Sequence, residues 1–141
     1  MRKQAIVVLA LLLAPITAAA QERLAYTLFY ARPGATRVHV SIELPQPVAA
    51  PQTLIMPRAI PMGYGEQPYD RFVENLKAYG ANNELLPATR ADGPRWTVGK
   101  AGTTLRRVTY EVNLARMERE VLNGGDASKV RPRYLGLLGY S

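Results

Sequence analysis

Two segments of the chain alternate apolar and polar residues without a break. The first runs from Arg37 to Leu44 and the second from Arg107 to Leu114. Successive side chains of a β-strand point to opposite faces, so this alternation predicts strands with one buried and one solvated face. The residues predicted to face inward are Val38, Val40, Ile42 and Leu44 in the first strand and Val108, Tyr110, Val112 and Leu114 in the second.

An apolar segment from Leu24 to Ala31 precedes the first of these strands, and Pro33-Gly34 lies between them. Proline fixes its own φ and glycine permits φ values that other residues avoid, so the pair favours a turn. The beginning of the chain is therefore predicted to form a hairpin.

Shorter apolar runs follow, each bounded by turn residues. Many short strands at close spacing favour an antiparallel sandwich. The predicted fold is an all-β, antiparallel β-sandwich with at most one short helix. The shorter strands are predicted at Gln52 to Met56, Glu84 to Thr89 and Arg95 to Val98, with turns at Asn82-Asn83, Asp92-Gly93 and Gly99 to Gly102.

Two segments have helical features. From Tyr69 to Tyr79 the apolar residues fall at helical spacing, which favours a helix, whereas the surrounding strands favour a strand that begins near Phe72. The slight preference is for the strand. Ala115 to Leu122 is predicted to make about two helical turns before Asn123-Gly124-Gly125 ends it.

The first twenty residues have the three parts of a secretory signal peptide. Arg2 and Lys3 precede an apolar run from Ala5 to Ala14, and small residues lead to Ala20. The run is shorter than the roughly 20 residues that span a bilayer. The alternative, an uncleaved membrane anchor, is disfavoured because the residues after Ala14 turn small and polar. We expect residues 1–20 to be removed, which leaves a periplasmic or secreted domain of residues 21–141 with no membrane association.

Composition excludes several functions. The net charge of +7 falls to +5 without Arg2 and Lys3, and the remaining cations are scattered, so the sequence predicts no nucleic-acid partner. The chain has no cysteine. It therefore forms no disulfide and has no thiolate metal site or cysteine nucleophile.

Catalytic and metal-binding patterns are also lacking. His39 is the only histidine and lies on the polar side of a strand, where a solvated role is expected. One histidine beside Ser41 and Glu43 makes neither a convincing metal site nor a catalytic triad. The acidic residues, with Asp70 and Glu118 among them, are expected on a solvated face. We predict no metal, no cofactor and no catalytic residue.

The candidate binding element is the loop from Met56 to Gly65, rich in proline, glycine and tyrosine. Such a segment cannot form a regular helix, and loops on rigid scaffolds often carry binding residues. Tyrosine rings offer contact area and a hydroxyl group at low entropy cost. Trp96, by contrast, alternates with Val98 and is expected in the core. The predicted binding residues are Pro61, Gly63, Tyr64 and Tyr69.

Taken in order, several short motifs resemble the N-terminal domain of the glycyl aminopeptidase family of zinc metallopeptidases, metallopeptidase family sixty-one. The resemblance covers nearly all of residues 21–141. In that family the loop usually reads Met-Pro, then two or three residues, then Pro-Gly-Ser-Tyr. In this chain the corresponding residues are Pro61-Met62-Gly63-Tyr64, so the glycine is shifted by one place and the serine is replaced. The motifs are Leu24 to Tyr30, Val38-His39-Val40, Leu54 to Pro57, Pro61 to Tyr64, Phe72 to Leu76, Leu85-Leu86-Pro87, Trp96-Thr97-Val98 and Val108 to Val112.

The resemblance implies a β-sandwich that precedes a thermolysin-like domain, in which a His-Glu-x-x-His helix holds zinc. That helix is not in this sequence. Further strands would follow in the family, in agreement with the apolar segment from Tyr134 to Ser141. The sandwich is therefore predicted to be incomplete at the C-terminus.

Three functions follow as hypotheses. The first is a noncatalytic exported domain that supports a peptide-binding site next to a peptidase catalytic domain. The alternative is an independent periplasmic module that binds a peptide, a sugar or a protein. The third is an exported structural protein that pairs edge strands through Tyr134 to Ser141.

Overall fold

A computed structural model describes residues 23–58, 66–121 and 128–137 of the chain. Ten strands, one short 3-10 helix (Tyr69–Phe72) and one α-helix, α1 (Leu114–Glu120), make up its regular structure. The strands are β1 (Ala25–Phe29), β2 (Arg37–Ala49), β3 (Gln52–Ile55), β4 (Val73–Tyr79), β5 (Leu85–Leu86), β6 (Ala88–Arg90), β7 (Arg95–Val98), β8 (Thr104–Asn113), β9 (Lys129–Arg131) and β10 (Tyr134–Gly136).

The strands form three antiparallel sheets. The largest has five strands in the order β1-β2-β8-β4-β5, the second has the order β3-β7-β6, and β9 pairs with β10. Every pair of neighbouring strands is antiparallel. The prediction of an all-β, sandwich-like fold with one short α-helix is confirmed.

The two alternating segments form the central strands of the large sheet. β2 pairs with β8 from Arg37, opposite Asn113, to Ala49, opposite Thr104, with an irregularity after Glu43. Val38, Val40, Val108 and Val112 are buried, as the alternation predicted.

Two clusters of buried side chains form the core. One lies between β2, β8, the 3-10 helix and α1, and the other joins β4, β5 and β8 to β7. Trp96 is 7% exposed and belongs to the second cluster, which confirms its prediction as a core residue. The first cluster contains Val38, Val40, Tyr69, Phe72, Val112, Leu114, Met117 and Val121, and the second contains Ala78, Leu86, Trp96, Val98, Leu105 and Val108.

The ambiguous segment from Tyr69 to Tyr79 forms both structures in turn. One 3-10 turn ends at Phe72, and β4 begins at Val73, so the predicted strand is confirmed. The helical spacing arises because Tyr69 and Phe72, three residues apart on that turn, both face the core. β4 contains a bulge between Glu74 and Lys77, where Asn75 has a φ of +53°.

The predicted helix begins one residue earlier than expected, where β8 ends. The side-chain oxygen of Asn113 accepts a hydrogen bond from the Arg116 amide at 3.0 Å, and its side-chain nitrogen donates to Glu74 on β4 at 2.9 Å. Asn113 therefore caps α1 while it is tied to the neighbouring strand.

The hairpin predicted at the beginning of the chain is confirmed, because β1 pairs with β2 from Ala25, opposite Glu43, to Phe29, opposite His39. All five residues of β1 are exposed. The predicted signal peptide, residues 1–20, lies outside the described residues, as do residues 138–141 of the apolar C-terminal segment. Within the described segments, no helix is long and apolar enough to cross a membrane.

Candidate functional site

The ends of the candidate binding loop are held together by the backbone. The Gln67 amide donates to the Arg58 carbonyl at 2.8 Å, and the Met56 amide donates to the Pro94 carbonyl at 3.0 Å. The first bond joins Arg58, the third residue of the loop, to Gln67, which lies two residues after its end, and the second ties its beginning to the turn between β6 and β7. Arg58 and Gln67, which flank residues 59–65, therefore form one closed base.

A buried carboxylate reinforces this base. Asp70, on the 3-10 helix that follows the loop, is 0% exposed. Arg58, the third residue of the loop, donates to both of its oxygens: Nε lies 2.7 Å from Oδ1 and Nη2 lies 3.0 Å from Oδ2. This bidentate geometry is the strongest form of an arginine–carboxylate pair. The two sides of the loop are thus joined by side chains as well as by the backbone.

A second arginine completes the cluster. Arg90 donates from Nη2 to Asp70 Oδ2 at 2.5 Å and from Nε to the Gly93 carbonyl at 3.0 Å. It lies opposite Trp96 in the β6–β7 register, and its guanidinium lies 5.1 Å from the centre of the Trp96 ring. Because β6 is an edge strand, Arg90 can cover the indole and still remain 43% exposed. We call Arg58, Asp70 and Arg90 the loop clamp.

The electrostatics of the loop clamp favour a permanent ion pair over acid–base chemistry. The hydrogen bond from Arg58 lowers the pKa of Asp70, against the effect of burial, and the charges of Arg58 and Arg90 add to the decrease. The bond to Asp70 raises the pKa of Arg58 in return. A carboxylate held ionised by two arginines is a poor general base, so the clamp is suited to positioning the loop.

The predicted binding residues fall in two places. Pro61, Gly63 and Tyr64 lie outside the described residues and stay predictions. Tyr69 is 1% exposed and packs in the first core cluster, because the 3-10 turn directs it inward together with Phe72. Its ring offers no surface to a ligand in this structure. Tyr69 instead anchors the segment that follows the loop.

The loop clamp was not predicted, and the expectation that the acidic residues lie on a solvated face is wrong for Asp70. Its partners are 12 and 20 residues away in the sequence. The only signal is an aspartate between Tyr69 and Phe72, in a segment whose spacing already indicated burial. The side chain of Glu118, in contrast, is 23% exposed, and both of its oxygens accept hydrogen bonds from Arg131.

The outer face of the large sheet contains a second candidate site. Thr27, Ser41, Thr109 and Lys77 are aligned across four neighbouring strands. These residues form the floor of an open groove of about 560 Å³, which we call the outer trough. Its walls are formed by side chains on both sides of this row, namely Phe29, His39, Asn75 and Glu111 on one side and Tyr79 on the other.

An ion-pair contact and a hydrogen bond order one wall of the outer trough. His39 Nδ1 lies 3.3 Å from Glu111 Oε1, and Asn75 Nδ2 donates to Glu111 Oε2 at 3.1 Å. The bulge in β4 brings Asn75 to this position. The His39 side chain is 51% exposed, in line with its predicted place on the solvated face. In residues 23–58, 66–121 and 128–137, no group of three or more histidine, aspartate or glutamate side chains could hold a metal ion.

Comparisons with known proteins identify one matching family and one similar structure. A family model described as the Peptidase M61 N-terminal domain matches residues 25–129, a range that includes the loop clamp and the outer trough. The crystal structure of an aminopeptidase N family protein from Idiomarina loihiensis is similar with a TM-score of 0.51 and 21% sequence identity. The match covers 64% of this chain and 15% of that chain, so this chain spans a small part of its length. No curated protein matches the sequence.

Proposed function

Because the chain belongs to the family of M61 peptidase N-terminal domains, which confirms the resemblance found in the sequence, we propose that it is a noncatalytic domain that supports a peptide-binding site next to a peptidase catalytic domain. The loop clamp is the observation that carries this proposal. It joins Arg58, the third residue of the Met56 to Gly65 loop, to Asp70, which follows the loop. Flanks that are joined in this way favour a role for this segment at the contact with a neighbouring domain.

The chemistry of the chain supports a noncatalytic role. A zinc peptidase of the thermolysin type needs two histidines at a fixed spacing on one helix, and this sequence has a single histidine. That residue, His39, lies on a strand beside Glu111. Asp70, the buried carboxylate, is already bound by two arginines. The partner domain is therefore proposed to supply the zinc and the general base.

Export is part of the proposal. Arg2, Lys3 and the apolar run that follows them form a signal peptide pattern. We propose that the mature protein, residues 21–141, acts in the periplasm or outside the cell. Mass spectrometry of the chain recovered from a bacterial periplasm would test this: a new N-terminus at Gln21 is expected, and an intact Met1 would contradict it.

The noncatalytic role is tested by incubating residues 21–141 with glycyl-p-nitroanilide and added Zn²⁺. No release of nitroaniline above the rate in buffer is expected. Hydrolysis that co-purifies with the chain and stops on addition of a chelator would contradict the proposal.

The supporting role is tested with the DNA downstream of codon 141. We expect a reading frame that encodes further strands and a His-Glu-x-x-His helix. When its product is expressed with this chain, hydrolysis of glycyl substrates should depend on this chain and decrease with Arg58→Met. The matched control is Arg95→Met, which alters an exposed arginine with a weak contact of 3.5 Å to Asp92. No such frame, or activity that is independent of this chain, would overturn the proposal.

The outer trough favours a second function, an independent binding module. Its volume of about 560 Å³ is within the range of small-ligand sites, about 300–1,000 Å³. Hydroxyl groups on its floor and mixed donors and acceptors on its wall suit a neutral, polar ligand such as a sugar. Maltotetraose should then raise the midpoint of thermal unfolding, and Thr109→Val should abolish the increase. Thr53→Val, an exposed change on β3, is the control. An unchanged midpoint in the unmodified chain would exclude this sugar-binding function.

A further inference from the structure

Strand β1 is an edge of the large sheet, and within residues 23–58, 66–121 and 128–137 no strand lies beside the outer side of its backbone. Its five residues are all exposed, and the sequence has no charged residue between Arg23 and Arg32. A free edge of this kind can accept another strand.

The other edges of the two larger sheets are protected in recognised ways. β5 has only two residues and is followed by Pro87. β6 has three residues and ends in the charged Arg90. β3 begins directly after Pro51. Short strands, prolines and charges all discourage pairing at an edge. Among these edges, β1 has none of the three.

The side chains of β1 also leave apolar surface open on both faces of the sheet. Tyr26 and Leu28 lie opposite Ile42 and Val40 in the register and so face the core side, yet they are 59% and 54% exposed. Phe29 faces the other side and is 61% exposed. The first core cluster buries Val40 to 7% but does not extend over β1.

We propose that β1 pairs antiparallel with β1 of a second copy of the chain, so that two five-stranded sheets join into one continuous sheet. The proposal goes beyond the supporting role above and does not depend on it. The two-fold axis passes beside Thr27, which lies opposite Thr27 of the second copy. Tyr26 then lies opposite Leu28, and Ala25 opposite Phe29.

The sequence of β1 fits a second copy because this register is self-complementary. The apolar residues of the core side meet one another, and so do those of the outer side. Arg23 lies opposite Ala31 of the second copy, so the two Arg23 side chains are at opposite ends of the contact and do not repel each other. A two-fold contact of this kind closes on itself and gives a dimer, not a fibre.

The contact is small. Paired strands of five residues form an interface below the roughly 1,200–2,000 Å² of stable complexes. We therefore expect a reversible dimer with a dissociation constant on the order of 10–100 µM.

Sedimentation velocity of residues 21–141, from about 1 to 500 µM, tests this dimer; all described contacts lie within residues 23–137. The unmodified chain should change from monomer to dimer over this range. Thr27→Lys places two like charges at the axis and should leave a monomer with an unchanged thermal transition. Thr53→Lys is the matched control, since it adds the same exposed lysine to the β3 edge. A monomer at the highest concentration, larger oligomers, or equal effects of both variants would overturn the proposal.

A second measurement does not rely on the lysine variant. The chain has no cysteine, so Thr27→Cys creates its only thiol. The proposed register places the two Cα atoms about 4.5–5.5 Å apart, within the range of disulfides. Mild oxidation at about 50 µM should crosslink Thr27→Cys at least tenfold faster than Thr53→Cys. Equal rates would overturn the two-fold register.

Discussion

The chain contains two phenylalanines, and they lie in opposite environments. Phe72 is 1% exposed, on the 3-10 helix between the large sheet and α1. Phe29 is 61% exposed at the end of β1, where its ring lies beside that of His39, with the ring centres 6.2 Å apart. The comparison teaches that burial here depends on which elements lie above a residue, since Phe29 is exposed although it follows Leu28, whereas Phe72 is buried although it follows Arg71.

The cover above Phe72 is built from charged side chains. The guanidinium groups of Arg71 and Arg116 lie 5.8 and 5.7 Å from the centre of its ring. Glu120 accepts a hydrogen bond of 2.7 Å from each arginine and so joins the 3-10 helix to α1. In the part of the chain that the structure describes, β1 has no comparable cover on either face.

The sharpest test of this comparison is alanine at both phenylalanines. Phe72→Ala opens a cavity in the first core cluster, and we expect it to lower the free energy of unfolding by about 3–5 kcal/mol. Phe29→Ala removes a ring that is already solvated. Urea unfolding monitored by Trp96 fluorescence would measure the first change, and a loss below about 1 kcal/mol would contradict the assigned burial.

The next effect concerns the loop clamp. Asp70→Asn keeps the size of the side chain but removes the charge that both arginines bind, and we expect a loss of about 2 kcal/mol at pH 7. Asp92→Asn is the matched control, since Asp92 is 78% exposed. If both variants unfold at the same urea concentration, the clamp does not stabilise the domain.

The loss of stability caused by Asp70→Asn should depend on pH. Asp70 has a lowered pKa in the folded state, so the unfolded state binds a proton first as the pH falls. The stability from the ion pair is complete above the unfolded pKa of about 3.9 and is lost as the pH falls through the folded pKa. The difference in the free energy of unfolding between the unmodified chain and Asp70→Asn should thus become smaller below about pH 4. Glu74, Glu118 and Glu120, whose pKa values are also lowered, are present in both proteins and cancel in the difference.

The two arginines of the clamp should differ in effect. Arg58→Met removes two hydrogen bonds to the buried carboxylate, whereas Arg90→Met removes one. We therefore expect the lower urea midpoint for Arg58→Met. Arg90→Met should in addition change the emission of Trp96, the only tryptophan, because the guanidinium leaves its ring. The reverse order of midpoints would contradict the bidentate assignment.

The smallest effect is expected at the exposed phenylalanine. Phe29→Ala should change the free energy of unfolding of the monomer by less than about 0.5 kcal/mol, as for other surface positions. The measurement should be made at about 1 µM, which is below the proposed dissociation constant of the dimer. A loss as large as that of Phe72→Ala would remove the contrast between the two regions.

Local patterns predicted the regular part of the fold because the order of apolar and polar residues in a strand reflects which of its faces is solvated. Val38 and Val112 alternate with polar residues since one face of each strand is solvated, and Arg95 to Val98 is a strand with the predicted limits. The loop clamp could not be predicted in this way, because Asp70 meets arginines from two other segments. The exposure of Tyr26 and Leu28 could not be predicted either, because apolar residues in a strand do not indicate whether a second layer covers them.

Asn113 has a consequence for how this domain can vary among its relatives. Its one side chain caps α1 and binds Glu74 on β4, so the point at which the strand becomes a helix is set by the register of the sheet. A residue inserted in β8 would shift Asn113, together with the start of the helix, along the sheet and separate its side chain from Glu74. The Val121 end of α1 has no side-chain link of this kind to the large sheet among the described residues. Relatives that lengthen this helix are therefore expected to add residues at Val121, and to keep Leu114 as its first residue.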